Sequence, residues 1–118
     1  MPSKLDKLEF GSTLYIAGPM RGHHCYNFEK FFHFAHLFRA SGYTVINPAE
    51  LDCLRMFSGW RFHQDNYDDV LAIDKFMIKT FADALFILEG WEDSEGALIE
   101  IALAAELGLP IFYEDERK

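Results

Sequence analysis

Cysteine and basic charge are both scarce in this 118-residue chain. Its two cysteines, Cys25 and Cys53, make no CxxC pair and no disulfide framework, which excludes a small secreted scaffold and suits a reducing compartment. Lys and Arg number 11 against 19 Asp and Glu, a net charge of −8, with an isoelectric point near 5.0. A fold that holds nucleic acid through its phosphates needs the opposite sign, so no nucleic-acid partner is expected. An anionic small molecule would need a local, donor-rich pocket set against that field. No apolar run reaches the roughly 18 residues of a membrane span. The opening MPSKLDKLEFGS lacks the apolar centre of a signal peptide. A cytoplasmic protein with no membrane partner is expected.

What is present is a core. Hydrophobic residues make up 50% of the chain and aromatic ones 16%, too much for a disordered segment and about right for one domain. Residues 1–12 read as a flexible arm, leaving 13–118 as the single domain. TLYIAG (13–18), YTVIN (43–47), ALFIL (84–88) and PIFYE (110–114) read as strands, rich in β-branched and aromatic residues and bounded by Gly and Pro. Between them the spacing predicts helices from Asn27, a candidate cap, to about Ala40, from about Tyr67 to Thr80, and from Glu95 to Leu107. Residues 48–66 are the least regular. Strands alternating with helices specify an α/β fold with a parallel sheet of four or five strands between helical layers. Ligands in such folds bind beyond the carboxyl ends of the strands. There the loops 18–26, 48–66 and 89–95 collect.

One residue stands out by its company. Glu100 is the sole acid in Ala97-Leu-Ile-Glu100-Ile-Ala-Leu-Ala-Ala105. On a helix its neighbours three and four positions away are Gly96, Ala97, Leu103 and Ala104, none of which can bond to it through a side chain. Two positions are open to it: a solvated strip of alanine, or a cavity in which a buried carboxylate would mark a functional site. Just upstream, Ser94 is a good helix N-cap at the head of the same helix, where free N–H groups can receive an anion. It lies six positions before Glu100, about 9 Å along the axis. Gly96 and Ala97 leave room for a ligand to approach. An ordinary cap is the alternative. After the first strand, Gly18-Pro-Met20-Arg21-Gly22 could cradle an anion or a sugar, or could be a plain turn. It matches neither the dinucleotide nor the P-loop fingerprint.

These segments, Tyr15-Ile-Ala-Gly18-Pro-Met20-Arg21-Gly22, Asn47-Pro-Ala49, and Ala82-Asp83 through Gly90-Trp91 to Ser94-x-Gly96-Ala97-x-x-Glu100, resemble the nucleoside 2-deoxyribosyltransferase-like superfamily, in particular its short bacterial and bacteriophage branch. The resemblance implies a flavodoxin-like three-layer sandwich, usually a homodimer or higher homo-oligomer. It also implies cleavage of the N-glycosidic bond of a nucleoside or nucleoside 5′-monophosphate, with Glu100 as nucleophile, Tyr15 orienting it, and Asp74 protonating the departing base. Asp69 is the alternative acid, because Asp74 lies one residue farther from Asp83 than the family spacing. Ser94 stands where phosphate-recognising N-glycosidases carry serine and transferases carry aspartate, which favours a monophosphate. Gly18, Met20, Arg21, Gly22, Trp91, Ser94 and Gly96 are the implied substrate contacts. Base exchange, or attack on NAD-type glycosides, would use the same bond, and a nucleotide-binding protein without turnover is the rival outside the enzymes. No metal or redox cofactor is required. A carboxylate on one side of the sugar and an acid on the other are what retaining glycoside hydrolysis employs.

Two other features have plainer readings. Gly22-His23-His24-Cys25 suggests a metal, but no second ligand cluster follows, so none is expected; His23 or His24 could contact substrate. The first helix carries Phe28, Phe31, Phe32, Phe34 and Phe38, aromatic nearly all round, which predicts core on one side and a subunit interface on the other. Trp60, Arg61, His63 and Asp65 lie in the irregular insert, which could cover the pocket or be a surface loop.

Overall fold

The computed structural model describes residues 8–20, 27–51 and 67–115, with the side chains of 67–70 left aside. Strand β1 (Thr13–Ala17) is followed by helix α1 (Phe28–Ala40), strand β2 (Thr44–Ile46), helix α2 (Tyr67–Phe81), strand β3 (Ala84–Ile87), a short 3-10 turn (Trp91–Asp93), helix α3 (Glu95–Leu107) and strand β4 (Ile111–Tyr113). The strands form one parallel sheet in the order β2-β1-β3-β4. Tyr15 pairs with Ile46 on one side and with Leu85 on the other. This is the expected α/β class, consistent with a flavodoxin-like three-layer fold. The strand boundaries draw in by a residue or so at the ends.

Strands covered on both faces read as continuous apolar runs, and here the pleat divides each run between two cores. Leu14, Ile16, Val45, Ala84, Phe86 and Leu88 point toward α1 and meet Phe31, Ala35 and Phe38. Tyr15, Ala17, Ile46, Leu85 and Ile87 point the other way, toward Ile78 of α2 and Leu103 and Ala104 of α3. The chain crosses the sheet first leftward through α1 and then rightward through α2 and α3, which puts the helices on opposite faces. The reversal leaves the carboxyl ends of β1 and β3 side by side as the switch point where such sheets hold ligands.

Several local expectations are modified. Asn27 stands at the head of α1 but does not cap it: its backbone is left-handed, with φ 63° and no side-chain cap. Its Nδ2 instead donates to the Pro19 carbonyl at 2.9 Å, tying the start of α1 to the end of β1. A helical turn not expected from the sequence occupies 48–51. Its Glu50 takes both ends of the Arg39 guanidinium, at 2.8 and 2.7 Å, while Arg39 also reaches the Val45 carbonyl. The Glu50 bond raises the pKa of Arg39 above its ordinary value. The arm expected over 1–12 is attached from Leu8 onward. Leu8 packs on the α1-side core, the Thr44 amide donates to the Ser12 carbonyl, and the Phe10 ring occupies the space a side chain at Gly42 would need.

The α1 aromatics are mostly turned inward. Phe31 and Phe38 are buried, Phe28 and Phe34 pack partly buried on the same core, and Phe32 is 39% exposed. Phe38 meets Phe86 edge-on at 4.7 Å. Exposed apolar side chains are more numerous on α2 and α3, at Ile73, Phe76, Phe81, Leu98 and Leu107. No described helix is long and apolar enough to cross a membrane.

Candidate active site

Position 15 lies in the middle of β1, the strand flanked on both sides, and the pleat turns its side chain to the face covered by α2 and α3. A tyrosine there is fully enclosed, and a buried phenol needs a partner. It finds one in Glu100: the Tyr15 hydroxyl donates to Glu100 Oε2 at 2.6 Å. That length is at the short end for an O–H···O bond, as suits a carboxylate acceptor.

The two positions open to Glu100 are thereby decided. The buried stripe of α3 consists of Ala97, Glu100, Leu103 and Ala104, so the carboxylate faces inward and is only 6% exposed. The solvent side of this helix carries Leu98, Ala102 and Ala105 instead. α3 is apolar almost all round, and hydropathy alone could not orient it.

Asp74 is the other enclosed acid, 8% exposed. It precedes Ile78, a core residue of the same face, by one helical turn, and α2 packs directly against α3. Since α2 runs back against the strand direction, Asp74 sits nearer than Ile78 to the carboxyl ends of the strands. Asp74 is therefore not a solvated helix residue. The side chain of Asp69 lies outside the described residues.

Ser94 caps α3, its Oγ accepting from the Ala97 amide at 3.2 Å. The ordinary cap is thus present, and the hydroxyl proton stays available to donate elsewhere. Trp91 lies against Tyr113, ring centres 5.4 Å apart, beside the core that holds Tyr15. Gly96 is half-buried in the first turn of α3.

Gly18 lets the ends of β1 and β3 approach: a Cβ there would stand 2.6 Å from the Leu88 Cβ. Gly90, with φ 93°, needs its left-handed backbone and sits where an added Cβ would meet Pro19 at 3.3 Å. The two strand-end loops are therefore pressed together beyond the carboxyl ends of β1 and β3. Met20 packs on the α1-side core, which gives it a structural place. Arg21, Gly22, His23, His24, Cys25, Trp60, Arg61, His63 and Asp65 lie outside the described residues. Among the described residues no three metal-ligating side chains come together.

Sequence reasoning gave Asn47 no role of its own. It follows β2 and is only 2% exposed. Its Oδ1 accepts from the Ala49 amide at 3.0 Å and its carbonyl accepts from Glu50, so it caps the 48–51 turn with Pro48 at the first helical position. Its Nδ2, also buried, has no hydrogen-bond partner among the described residues. The Asn-Pro pair after a strand signals the cap; nothing in the sequence signals the orphan amide.

No curated protein and no solved structure matches the chain. A family model described as "Domain of unknown function (DUF4406)" matches residues 12–113, a span running from just before β1 to the last residue of β4 and taking in Tyr15, Asn47, Asp74, Ser94 and Glu100, and the chain belongs to that family.

Proposed function

We propose that the protein is an N-glycosidase that cleaves the base–sugar bond of a (deoxy)nucleoside 5′-monophosphate or nucleoside through a covalent glutamyl-sugar intermediate. The observation that carries this reading is the enclosed Tyr15–Glu100 pair at 2.6 Å. A carboxylate held in one orientation, away from bulk water, at the switch point of a parallel sheet is suited to attack an anomeric carbon.

Glu100 forms the C1′–O bond as the C1′–N bond breaks, and the bonding pair leaves with the base. Asp74 gives its proton to the base nitrogen; burial favours the neutral acid it needs to be. Water then attacks C1′, the ester oxygen returns to Glu100, and the water's proton passes to Asp74. Both carboxyl groups end as they began. Tyr15 holds the attacking group in place through both steps. Ser94, at the head of α3, offers its hydroxyl and the neighbouring amides to a 5′-phosphate, and that remote contact positions the sugar.

A nucleotide substrate also fits a cytoplasmic protein. The apolar side chains outside α2 and α3 fit a second copy of the chain, which light scattering in solution tests.

The decisive assay incubates the protein with deoxynucleotides, deoxynucleosides and NAD, with and without an added free base, and follows the bases by chromatography. Release from monophosphates alone supports hydrolysis of that class. A new nucleoside in the presence of free base means exchange, and binding without turnover means a nucleotide-binding protein. If Glu100→Gln leaves the rate unchanged, Glu100 is removed from the chemistry.

A further inference from the structure

Resting on the N-glycosidase reading, we infer that Asn47 is a specificity residue whose free amide donates to an oxo group of the nucleobase. The side chain performs two tasks of unequal obviousness. Oδ1 receives the Ala49 N–H at 3.0 Å; because that partner is a donor, the atom facing it is the oxygen, and the amide's orientation is set. The Nδ2 that remains is enclosed and makes no hydrogen bond among the described residues. Leaving a buried donor unmade is a standing penalty. Asp or Ser would cap the same turn without it. Asparagine at this position therefore makes sense if an acceptor arrives from outside the chain.

The place of Asn47 indicates which part of the substrate brings that acceptor. It comes one residue after Ile46, which pairs with Tyr15 in the register of β1 and β2. Ile46, Tyr15 and Ile78 share one core, and Asp74 lies one turn from Ile78 toward the same end of the sheet. Asn47 follows β2, and Ile78, one turn from Asp74, shares a core with Ile46 of that strand, whereas α3, which carries Glu100 and is capped by Ser94, packs on β1, β3 and β4. With the nucleophile and phosphate contact on one flank and the acid that meets the leaving group on the other, the base is directed toward β2. An N–H there favours bases presenting a carbonyl (uracil, thymine, hypoxanthine, guanine) over those presenting an amino group at the same edge (cytosine, adenine).

The test compares the wild type with Asn47→Asp and Asn47→Ser. Both substitutes cap a helix, so the folded state should persist; Asn47→Asp buries a carboxyl group and should lower the ligand-free melting temperature, whereas Asn47→Ser only removes an unpaired donor and should leave it little changed. A fall in Asn47→Ser as large as that in Asn47→Asp would mean that Nδ2 is bonded within the protein, and the inference would be wrong. With 2′-deoxynucleoside 5′-monophosphates, kcat/KM for oxo bases should fall about ten-fold or more in both variants. Asn47→Asp, now presenting an acceptor, should lose least on amino bases and so narrow or reverse the preference. An equal fall for all bases, or none, overturns the role of Asn47 and leaves the glycosidase reading standing. If the wild type turns over nothing but binds these nucleotides, the reaction is wrong, and the same comparison is read on Kd by calorimetry, where equal affinities overturn the inference. If the wild type neither cleaves nor binds them, both fall.

Discussion

The two faces of the sheet use the same alternating strands to different ends. Toward α1, Leu14, Ile16, Phe31, Phe38 and Phe86 belong to a core whose fully buried members, among the described residues, are all apolar, with aromatic rings closely packed. Toward α2 and α3, the equally enclosed layer includes Tyr15, and Asp74 and Glu100 are buried beside it. Burying carboxyl groups is costly, so the second face gives up some stability that the first retains. The division teaches where to look: one side of the sheet holds an apolar core, and the other holds the buried acids and the groups proposed to react. It also predicts that stability and chemistry can be damaged separately.

The largest separation is expected from Glu100→Gln. The amide oxygen can still accept from Tyr15, so the melting temperature should move little, while base release should fall roughly 1,000-fold or more. Equal loss of both would show that Glu100 is chiefly structural.

On the opposite face, Phe38→Ala empties a fully buried aromatic site and should cost about 3–5 kcal/mol in urea unfolding. The molecules that remain folded should keep a kcat/KM within about two-fold of the wild type, since packing defects away from the reacting groups act mainly through stability. A change in mechanism-sensitive kinetics, such as an altered pH profile, would contradict the division of labour.

Tyr15→Phe lies on the boundary, Tyr15 being a core residue and, on the proposed mechanism, the orienting group as well. Loss of the 2.6 Å bond should cost about 1–3 kcal/mol of stability. It should also lower kcat roughly ten- to a hundred-fold, with little change in KM. A KM effect alone would recast Tyr15 as a binding group.

Ser94→Asp gives the smallest and most selective effect. Aspartate caps as well as serine, so α3 should be unharmed, but the added charge should raise KM for monophosphates about ten-fold and leave free nucleosides nearly unaffected. Parallel behaviour of the two substrate classes would remove the phosphate from this end of the helix.

Much of this was readable before any coordinates. The strand runs at 14–17 and 84–88 are hydrophobic without a break because parallel strands are covered on both sides, and Gly108, left-handed at φ 75°, stops α3 where the pattern ends. Ser94 is recognisable as a cap from residue type alone. The orientation of Glu100 was not readable: a helix with apolar residues on all sides has no hydrophobic stripe to indicate which side is in. Nor was the burial of Asp74, whose helix also carries exposed Ile73 and Phe76, or the unbonded Nδ2 of Asn47, which depends on what surrounds it rather than on what precedes it.

Sequence alone determined the class of the molecule, because the strand and helix periods, the caps and the turn residues act within a few positions of one another along the chain. Tertiary structure decided which acids are enclosed and what they touch. Tyr15 and Glu100 stand 85 positions apart, and only the stacking of α3 on the sheet turns a carboxylate among alanines into one held by a phenol.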